Sequence, residues 1–474
     1  MGLRASHAGI MLMAIAILTL IFSSHSSRIK EVVVETIGHD PSLSPRETFL
    51  NPPSEKPSRP HAATAQPDWM TGGAFFDYLN THKVSSDKIT THHYEAIYSK
   101  AITQVGGYDT PFNMLEIGLG CGMVYGPGYG FLLFQGVLPR TTYSFIEYNA
   151  KCLDDVYCED ATTCKKQDLS YLKAAELAYL KRIAVWGGQE QTKVMDKSMQ
   201  THGPFRLISD DGSHHSDHMI ATMVYMFPRG LEPGGVFVIE DLVTSYSQRQ
   251  NTPGSRTAMH FIQDLVIMMQ AENERDPSST VRGPPFDLKR AAEFVVHLQS
   301  LICDREICSF KKKQKGKPEI PLLREYEQLH GPTATTYRGA AIPKDGSSYT
   351  LIVMDASAPD ALLTLETLLM HHLSPGGTLV LKNIIAEPHM DTQDLTKLLS
   401  YVLNWFRLFH ARNYPWMHLW IYPQAVKYVP SIRWIRTIEC ERHVCAIRKR
   451  WKVAVWKDEQ YRIARKLKKA SYIF

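Results

Sequence analysis

This chain of 474 residues is short of several things that usually betray a function. One-signed charge is lacking: the net charge is only +5 with 21% charged residues, and nothing points to nucleic-acid recognition. Glycosylation sequons are lacking too; Asn251-Thr252 is followed by Pro253, so glycosylation gives no support to a secreted chain. The N-terminal apolar run, Ala8 to Phe22, is shorter than the roughly 20 residues of a full bilayer span. Cysteine is modest at eight, and compositional bias toward disorder is absent, with 44% hydrophobic residues. What remains is an ordinary globular composition, long enough for two or three domains.

The N-terminus still carries information. Arg4 precedes the run from Ala8 to Phe22, which is followed by serines and then Arg28 and Lys30. Residues 1–30 read as a type II signal anchor, with a cleaved signal peptide as the alternative. Asp40 to Asp68 contains seven prolines, so residues 31–70 read as a stem. The expected location is the ER or Golgi membrane with a lumenal domain, or secretion. Residues 451–474 form a basic tail, read first as a solvated helix face and second as a membrane or acidic-partner contact. Cys303 and Cys308, like Cys440 and Cys445, flank four residues within a strand pair. Disulfides across two hairpins are expected, with a four-cysteine zinc site as the alternative. Pairing among Cys152, Cys158 and Cys164 is open.

The chain is organised around Phe205–Leu242. FRLI is a short apolar strand ending at Asp210-Asp211. A helical pattern runs from Asp217 to Arg229, Pro233-Gly234-Gly235 breaks it, and VFVI ends on Glu240-Asp241. Adjacent parallel strands would bring Asp211, His214, Glu240 and Asp241 to one carboxyl edge. Three carboxylates there suit a hard cation, and the histidine suits a base. Each acid pair taken alone would more simply be a cap or a solvated turn; two pairs ending two apolar strands argue for a site.

Upstream, MLEI is a buried-strand run, and Glu116, Gly118, Gly120 and Gly122 follow an E-x-G-x-G-x-G pattern that lets backbone approach a cofactor. The strand Tyr143–Ile146 ends on Glu147, placed to grip ribose hydroxyls. These features fit NAD and S-adenosylmethionine (SAM) equally. The His92-His93 pair before them reads as surface.

The downstream order separates the two cofactors. Trp186-Gly187-Gly188-Gln189, the Asp210-Asp211 strand, the PGG turn, the Glu240-Asp241 strand and a closing hairpin from Phe294 to Lys313 follow in turn. Over Asn113 to Lys313 the chain resembles class I SAM-dependent methyltransferases. DDGSH, PGG and ED together resemble more closely the metal-dependent O-methyltransferases of macrolide sugars. The resemblance implies an α/β, doubly wound, seven-stranded sheet in a domain at 71–313. It implies SAM held by Glu116, Gly118, Gly120, Gly122 and Glu147, with Gly187, Gln189 and Asp210 toward the adenine side. It implies Mg2+ on Asp211, Glu240 and Asp241, and His214 as general base beside Asp211. Where related sequences often carry an acid, this chain has Gly188. The expected activity is Mg-assisted O-methylation of a glycan or polyol-like hydroxyl, in a monomer or a homo-oligomer. A non-catalytic scaffold that kept the fold is the alternative, and an NAD-dependent oxidoreductase is disfavoured by the closing hairpin.

Beyond a linker at 314–348, residues 349–450 read as a degenerate half-copy. YTLIVMDASAPD, a helix, Pro375-Gly376-Gly377 and TLVLKNI repeat the central plan, and IRTIECERHVCAIRKR repeats the hairpin. Asp355 stands for Asp211, but Lys382-Asn383 replaces Glu240-Asp241 and no glycine loop precedes it, so no cofactor or metal is expected there.

Overall fold

The computed structural model describes residues 86–270, 288–384 and 429–450 with short breaks, together with a few isolated positions. The apolar run at 8–22, the stem, Gly122 and the basic tail lie outside the described residues. Among the described residues no helix is long and apolar enough to cross a membrane.

The strands follow the apolar runs. They are β1 Asn113–Ile117, β2 Thr142–Glu147, β5 Ala184–Trp186, β6 Phe205–Asp210 and β7 Leu231–Ile239, with a separate small hairpin of β3 Val156–Cys158 and β4 Cys164–Lys166 between β2 and β5. The hairpin β8 Leu298–Asp304 and β9 Ile307–Lys312 comes next, then β10 Thr336–Arg338, β11 Tyr349–Asp355, β12 Leu373–Lys382, β13 Ile435–Glu441 and β14 Val444–Lys449. Among the described residues twelve strands form one mixed sheet, in the order β10-β11-β12-β14-β13-β8-β9-β7-β6-β1-β2-β5. Within β5-β2-β1-β6-β7 every pairing is parallel, and β9 joins β7 antiparallel. The order turns back at β1, between β6 and β2, and there the strand ends open a crevice.

Helices cover both faces. α1 Asp87–Thr90 and α2 Glu95–Gln104 precede β1, and α3 Tyr129–Val137 follows it. α4 Ala174–Ile183, α5 Thr192–His202 and α6 Ser216–Arg229 are the next crossovers, and α7 Ala258–Met269 with α8 Leu288–Val295 lead to the hairpin. α2 and α3 pack on one face, with Ile97, Ile102, Phe131 and Phe134 against Met114, Phe145 and Leu207. On the other, residues from both halves share one core, from Leu115 and Ile208 through Phe294 to Leu379 and Ile447.

The second half is joined to the first by strand pairing: β13 lies antiparallel to β8, with Glu439 opposite Ile302 and Cys440 opposite Leu301. The interval 314–348, expected to be a linker, instead carries α9 Leu322–His330 and β10, and β10 forms one edge of the sheet. All eight cysteines pair, as Cys121–Cys152, Cys158–Cys164, Cys303–Cys308 and Cys440–Cys445. Both hairpin bridges are present, so their sulfurs are not gathered at a zinc site. Cys121, on the glycine loop, supplies the partner that sequence did not assign to Cys152.

Candidate active site

A cavity of about 780 Å3 opens at the carboxyl ends of β1, β2, β5 and β6. The glycine loop forms one wall. Gly118 has φ +91°, and a Cβ there would overlap the carbonyl of Asp211, so only glycine lets the loop after β1 approach the loop after β6 this closely. Gly120, at φ +77°, also lines the cavity.

Glu147 ends β2 with both carboxylate oxygens occupied. Oε2 accepts from the Leu119 amide at 2.9 Å and Oε1 from the Asn149 amide at 2.9 Å. Burial raises its pKa while the backbone donors lower it, and the balance lies above the usual carboxylate range. It clamps the glycine loop to β2 and still lines the cavity. Gln189 is a second clamp. Its Nε2 donates to both oxygens of Asp210 at 3.0 Å, and its Oε1 accepts from the Ser213 amide at 2.7 Å. Gly187 and Gln189 both reach the cavity, but Asp210 does not. Expected to bind cofactor, Asp210 is 1% exposed and turned toward Gln189, with burial pushing its carboxyl up to about 7 against the Gln189 hydrogen bonds. Over Gly188 the carboxylate of Glu190 folds back into the space a side chain would take.

Opposite lies the acidic cluster. Asp211, His214 and Asp241 line the cavity, and potential ligand atoms from all three lie within 4.8 Å of one another. His214 Nε2 is 3.5 Å from Asp241 Oδ2 and 3.9 Å from Asp211 Oδ1. Its Nδ1 is buried and lacks a hydrogen-bond partner among the described residues. His214 and Asp241 both hold left-handed backbone, at φ +57° and +51°, a conformation costly enough to be kept mainly where a side chain must be aimed. Tyr94 fixes Asp241, donating to Oδ1 at 2.6 Å.

Glu240 departs from expectation. It is 1% exposed, does not line the cavity, and accepts from the Tyr98 hydroxyl. The Lys88 ammonium lies 2.8 Å from Glu240, 2.5 Å from Asp211 and 3.4 Å from Glu116. Burial works against that ammonium, but Asp211, Glu240, Tyr98 and Glu116 outweigh it and hold its pKa well above the ordinary lysine value. Glu116 is pushed up to about 7 by burial, with Lys88 opposing.

No family model matches the chain. L-olivosyl-oleandolide 3-O-methyltransferase of Streptomyces antibioticus is 27% identical over 178 residues, 36% of this chain and 40% of that protein. Mycinamicin VI 2''-O-methyltransferase of Micromonospora griseorubida is 28% identical over 123 residues, covering 25% and 30%. A third relative, 8-demethyl-8-alpha-L-rhamnosyl tetracenomycin-C 2'-O-methyltransferase of Streptomyces olivaceus, is 43% identical over 67 residues, covering 14% and 18%. The relatives are O-methyltransferases. The resemblance read from DDGSH, PGG and ED is therefore a real similarity to this class, and the chain spans 40% or less of each relative's length. Among solved structures, MycE methyltransferase from the mycinamycin biosynthetic pathway, in complex with Mg, SAH and mycinamycin VI, is 18% identical with a TM-score of 0.35. That alignment covers 55% of this chain and 58% of MycE.

Five residues of this site were missed or misread in the sequence. His92, read as surface, places Nδ1 3.0 Å from Glu306 and 3.6 Å from Asp241. Burial lowers its pKa, but the Glu306 hydrogen bond and the charges of Asp241, Glu306 and Asp87 raise it to about 9. Lys88, Tyr94 and Tyr98 come from the segment before the glycine loop, and Glu306 from the tip of the β8-β9 hairpin. None has a local sequence pattern. The one available signal was a run of Lys, His and Tyr, KITTHHYEAIY, at helical and turn spacings beside the loop.

Proposed function

We propose that this chain is a SAM-dependent O-methyltransferase, Mg-assisted, acting on a hydroxyl of a glycan or polyol-like natural product. One observation carries the reading: the glycine loop with Glu147 and the Asp211–His214–Asp241 cluster face the same cavity. The residues fit both groups. Gly118 and Gly120, at left-handed φ, bring loop backbone to the cavity wall without side chains, and Asp211 and Asp241 supply carboxylate oxygens that suit a divalent ion. Gly118, Gly120, Glu147, Gly187 and Gln189 would hold SAM, with Glu116 beside the Asp211 end. Asp211 and Asp241 would hold Mg2+, with Glu240 behind them. When bound, SAM supplies an electrophilic methyl group and Mg2+ lowers the pKa of a hydroxyl it holds.

The chain's own residues supply the rest. His214 Nε2, exposed toward the cavity and braced between Asp211 and Asp241, takes the acceptor hydroxyl's proton, an aid of about 10²–10⁴-fold. Tyr94 fixes Asp241, and the Gln189–Asp210 clamp fixes the loop that carries His214. Calorimetric titration with SAM, followed by transfer of labelled methyl to glycan and small-molecule extracts, tests the reading. No SAM binding by intact protein would sink it.

The same proposal takes β5-β2-β1-β6-β7-β9-β8 as the class I methyltransferase sheet and β11 to β14 as a degenerate copy. Matching contacts support the copy: Lys312 Nζ donates to the carbonyls of Pro228 and Leu231, and Lys449 Nζ to those of Met370 and Leu373. Asn383, in the place of Asp241, repeats its left-handed backbone but donates to Asp355 at 2.8 Å. That contact engages Asp355, the one acid left at the positions that match Asp211, Glu240 and Asp241. Four disulfides support an oxidising compartment, in line with an anchored lumenal or secreted enzyme.

A further inference from the structure

Lys88 is a buried ammonium seated among three carboxylates. It lines the cavity at one edge and has the contacts a cation would have, with Asp211 at 2.5 Å, Glu240 at 2.8 Å and Glu116 at 3.4 Å. Glu240 meets Lys88, Tyr98 and Ser209 through the same oxygen, Oε1. Asp211, by contrast, is shared between Lys88 on one side and the His214–Asp241 group on the other. We infer that Lys88 is a built-in counter-cation that competes with the divalent ion for Asp211 and Glu240, so the ion gains the full acidic set only when this ammonium withdraws.

The inference rests on the reading that the site takes a divalent ion. Its physical basis is simple. Two like charges cannot share two carboxylates at these distances without strong repulsion, and a buried setting strengthens that repulsion. Without any cation the cluster would hold the buried Glu116 and Glu240 beside the half-buried Asp211 with no compensating charge, which is costly, so an internal ammonium keeps the ion-free state folded. The means of withdrawal are at hand. Lys88 hangs from α1, a helix of only four residues, on a flexible four-carbon stem beside the cavity.

The test is Mn2+ binding to the full chain without SAM, followed by electron paramagnetic resonance. Lys88→Met keeps the stem and removes the charge, and it should bind Mn2+ at least about tenfold more tightly than wild type. Lys88→Arg should not tighten binding. A folded Lys88→Met protein that binds Mn2+ no more tightly than wild type overturns the inference. If Lys88→Met does not fold alone, refolding with Mn2+ is the second arm: recovery of the native circular dichroism spectrum supports the inference, and no recovery overturns it. Binding of S-adenosylhomocysteine to wild type, measured separately, reports on the methyltransferase reading. Its absence would remove that reading and leave the Mn2+ comparison intact.

Discussion

Lys100 and Glu439 form a second buried ion pair, and it allows a sharp prediction about how the two halves depend on each other. Lys100, on α2, is 2% exposed, and its Nζ lies 2.5 Å from Glu439, which is on β13 and 1% exposed. Tyr326 donates to the same carboxylate at 2.8 Å. Glu325, 3.2 Å from Lys100, is far more exposed and screened, so it adds little. Lys100→Met would leave Glu439 buried with only the Tyr326 hydroxyl for support, and removing one partner of such a pair costs about 3–5 kcal/mol. Replacing both, as Lys100→Met with Glu439→Leu, removes the orphaned charge and should return stability to within about 1 kcal/mol of wild type or above it. Urea denaturation of the four proteins completes the cycle. The single variant should also slow methyl transfer, because α2 carries Tyr98 against Glu240 and follows Tyr94 against Asp241. A displacement of about 1 Å there costs on the order of 10²-fold. If Lys100→Met costs under about 1 kcal/mol, or the double variant is as unstable as the two losses added, the reasoning is refuted.

Three further outcomes are expected. Gly118→Ala should abolish SAM binding and cost about 1–2 kcal/mol for left-handed backbone alone, with more for the clash at Asp211; calorimetry showing wild-type affinity would contradict the loop geometry. His214→Ala should lower transfer by about 10²–10⁴-fold while SAM affinity, measured by calorimetry, stays near wild type, and unchanged turnover would remove His214 as the base. Asp210 is pushed from its ordinary 3.8 up to about 7, so the fold favours its protonated form. Its contribution to stability is present at low pH and is lost as pH rises from about 4 through about 7. Asp210→Asn should flatten that part of the stability profile, and denaturation midpoints from pH 4 to 8 that fall equally in both proteins would show that Asp210 is not its source.

Much of the fold was legible because parallel buried strands leave a simple trace. FRLI, VFVI and MLEI are apolar runs bounded by acids or turn residues, and each became a strand that ends where the acids begin. The same logic brought Asp211, His214 and Asp241 together, since neighbouring parallel strands must end at one edge. It failed for Glu240, as the resemblance did for Asp210. The chain leaves β6 at Asp210 and β7 at Ile239, so which acid of each pair faces the cavity is set by the turn that follows, left-handed at Asp241, and the sequence does not show it.

The sequence by itself determined the strands, the glycine loop and the hairpin cysteines, because these are written in local spacing, and its DDGSH, PGG and ED motifs carried the resemblance to O-methyltransferases. Tertiary structure alone decided that the halves share one twelve-stranded sheet through β8 and β13, since strand edges carry no mark of their partner. It alone brought Lys88 into the carboxylates, Glu306 to His92 and Lys100 to Glu439, across 123, 214 and 339 residues of chain. Buried charges are tolerated only where an opposite charge meets them. The sequence shows each charge, but only the folded chain shows which partner makes its burial possible.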